Sequence, residues 1–133
     1  MSEAALEELA ATIAAVSPDW AGVVVGEPAS GAAIASGDLP GELRLGVEAI
    51  REGWLLHRGA ARVVAGASPD LALLIGDWCY AAGLGIVTDH GSLDDVATLA
   101  ELVADLSSRP EASLDELEAR WTQAYATLAA HRS

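Results

Sequence analysis

The residues that could do chemistry in this chain are few, and their spacing limits what they can do. Three histidines and the single Cys79 are the zinc-binding and nucleophile-forming groups. Zinc takes three or four Cys or His ligands at short, recognisable intervals, and no such interval occurs. A nucleophile needs a base held beside it, and Cys79 and His57 meet only if their helices pack face to face. A Gly-x-Ser-x-Gly elbow is missing, and the glycines between Gly26 and Gly37 lack the Gly-Lys-Ser/Thr ending of a phosphate loop. Asp94-Asp95 suits the positive start of a helix, and Asp89-His90 suits a polar loop between helices. The residues alone therefore assign no catalytic group, no metal and no cofactor.

Asp77 and His57 remain as ligand or partner candidates. Asp77 lies inside an otherwise apolar run, where an unpaired carboxylate is costly. It is expected to face a cleft, a partner, or a cation such as Arg58 or Arg62; the alternative is a place on the bundle surface. His57 continues an apolar helical stripe by one turn, and reads as a ligand or as a histidine at the rim of the core. Trp54, Trp78 and Tyr80 would pack on a partner or line a cavity nearby.

The elements that must position these groups are helices. Leu6, Leu9, Ile13 and Val16 fall on one face, and Pro18 stops that helix. A second helix begins near Leu39 with Pro40 in its first turn and carries Leu43, Val47, Ile50 and Trp54. It frays near Gly59 or runs on to Val64. Ser68, Pro69 and Asp70 form the start of a third. Its Leu71, Leu74, Ile75, Trp78 and Ala82 form one face, and apolar residues populate the others, which predicts a central place in the domain. Gly76, Gly83 and Gly85 inside it suggest close approach of a neighbouring helix. Ser92 to Asp95 and Ser113 to Glu116 are capping boxes. They open helices with stripes Leu99, Leu102, Val103, Leu106 and Leu114, Leu117, Trp121, Ala124, Leu128. Residues 17–40 read as an irregular Gly/Pro/Ala-rich segment. Its Val23 to Val25 run is expected to be helix or loop, because a lone strand would lack a pairing partner.

The expectation is one all-α domain over residues 1–133, an antiparallel bundle of about five helices. With 133 residues, 52% of them hydrophobic, the chain can bury a core without metal or disulfide staples. The unpaired Cys79 is expected to be a small buried hydrophobe. A net charge of −13 repels nucleic acid and anionic membranes, and an acidic surface serves either solubility or a basic partner protein. Glu3, Glu7 and Glu8 stand where a signal peptide carries basic residues, so a cytoplasmic location is expected. The run Leu71 to Val87 is short for a membrane span and contains Asp77 and three glycines.

The segment Leu73-Leu74-Ile75-Gly76-Asp77-Trp78-Cys79-Tyr80-Ala81 resembles the Gly-Asp-x-x-[Leu/Tyr]-Ala helix of the trans-isoprenyl (polyprenyl) diphosphate synthases. Gly91 to Leu106 is similar to the loop and helix that follow it there. Val47 to His57 resembles the helix ending in Leu-Leu-His. The similarity spans about half the chain, Leu43 to Leu106. In catalytic members an aspartate-rich Asp-Asp-x-x-Asp motif follows that histidine and binds magnesium. Here Arg58, Gly59 and Arg62 stand in its place, and guanidinium offers magnesium no oxygen. Neither the second aspartate-rich motif nor the basic diphosphate-binding motif has a counterpart. The resemblance implies an isoprenoid-synthase-like helical fragment acting as a non-catalytic small subunit, or a degenerate relative, that supports a catalytic partner. Two other readings stand beside it. One is a stand-alone interaction module or homodimer unrelated to prenyl chemistry. The other is an enzyme that uses Asp77 with Arg58 or Arg62 around a diphosphate.

Overall fold

The computed structural model describes residues 3–25 and 39–132. These form an all-α bundle of six helices: α1 (Glu3–Ala14), α2 (Pro18–Ala21), α3 (Gly41–His57), α4 (Pro69–His90), α5 (Leu93–Ser107) and α6 (Leu114–Ala130). Helix starts follow local chemistry closely. The Ser68 hydroxyl accepts from Leu71 N at 3.2 Å at the start of α4. Both capping boxes form, Ser92 with Asp95 and Ser113 with Glu116. The sixth helix is the four-residue α2, capped by Ser17 at the start of the segment read as irregular. Residues 26–38 of that segment lie outside the described residues.

The central helix is α3, not α4 as its all-round apolarity suggested. Leu43, Val47, Ile50 and Trp54 face one core with α5 and α6; Ala49 and Leu56 face a second with α1, α2 and the start of α4. Every residue from Gly46 to Leu56 is buried. Each fully buried Leu or Ile contributes roughly 1.5–3 kcal/mol, so two cores sharing one helix hold the bundle together. The α4 helix packs on α3 along one side and leaves another open: Leu73 and Leu74 are 55% and 57% exposed. Leu74 therefore leaves the face predicted for it, while Ile75 and Cys79 stay buried. By length and composition α4 is also the one described helix able to cross a membrane, with 28% of its most apolar window buried.

Glycines set the α3–α4 distance. A Cβ on Gly83 would lie 2.7 Å from Gly46 O, and one on Gly53 would lie 2.8 Å from Gly76 O. The two pairs, seven residues apart on each antiparallel helix, let the backbones touch. The close approach expected at Gly76 and Gly83 is thus present. At Gly85 it is absent, because a Cβ there meets nothing within 4 Å.

Val23 to Val25 is loop, one of the two expected forms, yet the run does find a pairing partner. Val24 forms an antiparallel bridge with Val64; Val25 N donates to Val63 O at 2.9 Å, and Ala65 N donates to Val23 O at 2.8 Å. The partner was hidden because α3 ends at His57, which frees the following residues to run extended. Gly59 and Gly66, with φ of +72° and +76°, turn the chain at the two ends of that return.

Candidate functional site

Four of the sequence candidates converge where α3 ends. Trp54 and His57 leave the last turns of α3, Arg58 caps it, and Tyr80 comes from the middle of α4. The His57 and Tyr80 rings lie 5.3 Å apart. Gly76 makes this possible: a Cβ there would sit 2.8 Å from the His57 ring. On the outer side His57 Nε2 lies 3.3 Å from Asp77 Oδ1, with the side chains 30% and 66% exposed. So Asp77 takes the surface place, beside a histidine rather than an arginine. A pair this open to water contributes little to stability.

Behind these groups a groove runs between α3, α4 and α5. One part, of about 330 Å³, is walled by Ile50, Leu84, Leu99 and Val103. The adjoining part, of about 210 Å³, reaches Trp54, Arg58 and Pro110. His57, Tyr80 and Ser107 line both. Burial pushes the Tyr80 phenol up to about 12, with the Asp77 charge adding to it. At neutral pH it is therefore a hydrogen-bonding group and not a base. The groove offers apolar walls with a polar end, which suits an apolar group carrying a hydrogen-bonding terminus.

Trp78 and Arg62 lie elsewhere. Trp78 points to the opposite core and meets Trp20 edge-on at 5.8 Å. Arg62 is drawn into the protein: its Nη1 lies 2.5 Å from Glu48 Oε1 and its Nε 2.9 Å from Glu52 Oε1. Its side chain is 8% exposed and both carboxylates are fully buried. Burial lowers the Arg62 pKa, but the Glu48 and Glu52 charges outweigh it and leave the group above its ordinary value. Arg58 donates to the Ala112 carbonyl and lies over the Trp54 ring at 5.7 Å. The structure thus engages both arginines offered to Asp77 with other groups. Cys79 is buried, as expected, and burial followed by the Glu52 charge pushes its thiol up to about 12. That makes it an inert core residue and not a nucleophile.

No family model matches the chain, and no curated protein or solved structure matches it.

Sequence reasoning missed a set of polar residues sunk in the core. Besides Glu48 and Glu52, Arg51 is 3% exposed. Its Nη2 donates to Glu118 Oε1 and Oε2 at 2.8 and 2.7 Å, its Nη1 to the Tyr125 hydroxyl at 3.1 Å, and it lies over the Trp121 ring. Asp95 supplies the helix-start charge and capping box expected of it. It also joins the start of α5 to the end of α6 by accepting from His131, at 2.7 Å, and from Arg132. Acid groups four residues apart on a predicted helix, Glu48 and Glu52, were a weak signal. Nothing local says that residues 58–64 fold back over them. Among the described residues, no group of three or more His, Cys, Asp or Glu is placed to hold a metal ion.

Proposed function

We propose that this chain is a non-catalytic helical partner of a polyprenyl diphosphate synthase, or a degenerate relative that keeps the scaffold and has lost the chemistry. The observation that carries the reading is the fate of Arg62. In the resemblance it stands at the third aspartate of the magnesium motif. In the fold it is sealed against Glu48 and Glu52, where it serves the core and not an open site. Arg58, at the first aspartate position, is taken up by Ala112 and Trp54. The family-like Gly76-Asp77 helix meanwhile packs tightly on the Leu-Leu-His helix through its glycines, and a groove with apolar walls lies beside them. A supporting subunit needs that scaffold and groove and needs no diphosphate site. The test adds the purified chain to a full-length prenyl synthase from the same cells and reads product chain length. A changed distribution supports the role; an unchanged distribution at saturating chain counts against it.

A second reading, a stand-alone interaction module or homodimer without prenyl connection, draws on the open side of α4. It predicts a stable complex with a protein that has no part in prenyl transfer.

A further inference from the structure

The positive charge of this chain is all arginine: seven residues, with no lysine, against 20 carboxylates. Each of the seven has an internal partner. Arg44 donates to Leu39 O at 2.9 Å, Arg51 holds Glu118, Arg58 holds Ala112 O, and Arg62 holds Glu48 and Glu52. Arg109 and Arg120 both lie against Asp105, at 3.2 and 3.0 Å, and Arg132 against Asp95. The three histidines also face carboxylates: His57 with Asp77, His90 with Glu42, His131 with Asp95.

The outer side of α4 is the opposite of a satisfied surface. Leu73, Leu74 and Leu84 are 55%, 57% and 39% exposed. Ala81 and Gly85 continue the same face between them, both exposed. Gly85 weakens the helix and gains no packing in return, since a Cβ there meets nothing within 4 Å. Asp70, Asp77 and Asp89, all exposed, stand along this side. The helix carries no lysine or arginine.

We propose that this face docks an amphipathic helix of another protein, one whose apolar stripe is edged with lysine or arginine. Apolar burial supplies the driving force, and Gly85 leaves room for a large partner side chain. Covering the stripe strips water from Asp70 as well as from Asp77, whose neighbour is the His57 ring and not an arginine, and a carboxylate desolvated without a full cation is costly. The occupant must therefore bring positive charge. A second copy of the chain does not meet that need, because its arginines are already engaged and it has no lysine. An anionic membrane adds repulsion. The proposal stands on α4 alone, whatever the activity of the partner.

Calorimetric titration of the full chain tests it with two synthetic helical peptides of about 18 residues, close to the length of α4. Both carry the same leucine stripe; one is edged with lysine and the other with glutamate. The lysine-edged peptide should bind about tenfold tighter or more, and the exposed double variant Leu73→Glu/Leu74→Glu should weaken it at least about tenfold. That variant adds negative charge, so general attraction of a basic peptide predicts tighter binding instead. Glu7→Gln/Glu8→Gln on α1 should leave affinity unchanged, and thermal melts establish that all variants fold. Unweakened binding by the Leu73/Leu74 variant overturns the proposal. So does a self-dimer in sedimentation, or uptake by phosphatidylcholine vesicles, that this variant abolishes.

Discussion

Arg62 shows how strongly one side chain can depend on its surroundings. Its guanidinium bridges two carboxylates that the core otherwise seals from water. Removing one partner of a buried ion cluster costs about 3–5 kcal/mol. Arg62→Met should lose about that much in urea denaturation at neutral pH. Replacing Glu48 and Arg62 by apolar residues and Glu52 by Gln should restore most of it, because no uncompensated charge remains and the Gln carbonyl can still accept from the backbone N–H groups of residues 62 and 63 that Glu52 holds. Asp95 gives the acid counterpart. Burial raises its pKa, but bonds from Arg132, His131 and Ser92 hold it well below the usual carboxylate range. A group lowered in the folded state contributes fully above its unfolded pKa, about 4, and loses that contribution as pH falls toward its folded value. Asp95→Asn should therefore be less stable at neutral pH and show a flatter loss of stability between about pH 5 and pH 2. An unchanged acid slope would show that other carboxylates dominate. At this scale the sequence was half legible. Periodicity placed Trp54 and His57 on one stripe, whereas the burial of Glu48, Arg51 and Glu52 depends on a return loop and on α6, distant in the chain.

Among elements, the α3–α4 pair carries the most instructive contrast, because its glycines serve opposite ends. Gly53→Ala or Gly83→Ala would push Cβ atoms against a facing backbone oxygen. Each should cost about 1–3 kcal/mol despite the better helix propensity of alanine. Gly85→Ala meets open space and should stabilise the isolated chain by about 0.5–1 kcal/mol. Melting temperatures of the three variants check the sign of each. Ser113→Ala removes the cap of α6, whose hydroxyl accepts from Glu116 N at 3.1 Å, and should cost about 1 kcal/mol. Caps are written in four neighbouring residues, so both boxes and the start of α4 were legible. The centrality of α4 was misread because hydrophobicity records what must leave water, not which neighbour removes it. Here α3 takes the middle with charged residues aboard, and α4 keeps leucines outside.

For the whole molecule, the surface excess of carboxylates sets the behaviour. A net charge of −13 on 133 residues repels itself. The screening length falls to about 3 Å in 1 M salt, so thermal stability should rise with sodium chloride, while the sealed Arg62 cluster gains little. A fall in melting temperature with salt would instead mean that attraction in surface pairs such as Arg109 with Asp105 outweighs the general repulsion. Fold class was legible because five long helical stretches with stops and caps leave little else to build. The groove was not, since it needs the relative placement of three helices.

The proposed role is that of a partner that joins a prenyl synthase and does not itself catalyse a reaction. Affinity purification of the tagged chain from its own cells, with mass spectrometry of what accompanies it, tests that most directly. A full-length prenyl synthase in near-equal amount, lost from the Leu73→Glu/Leu74→Glu variant, is the predicted result. Recovery of the chain by itself, or with proteins foreign to prenyl transfer, would contradict it.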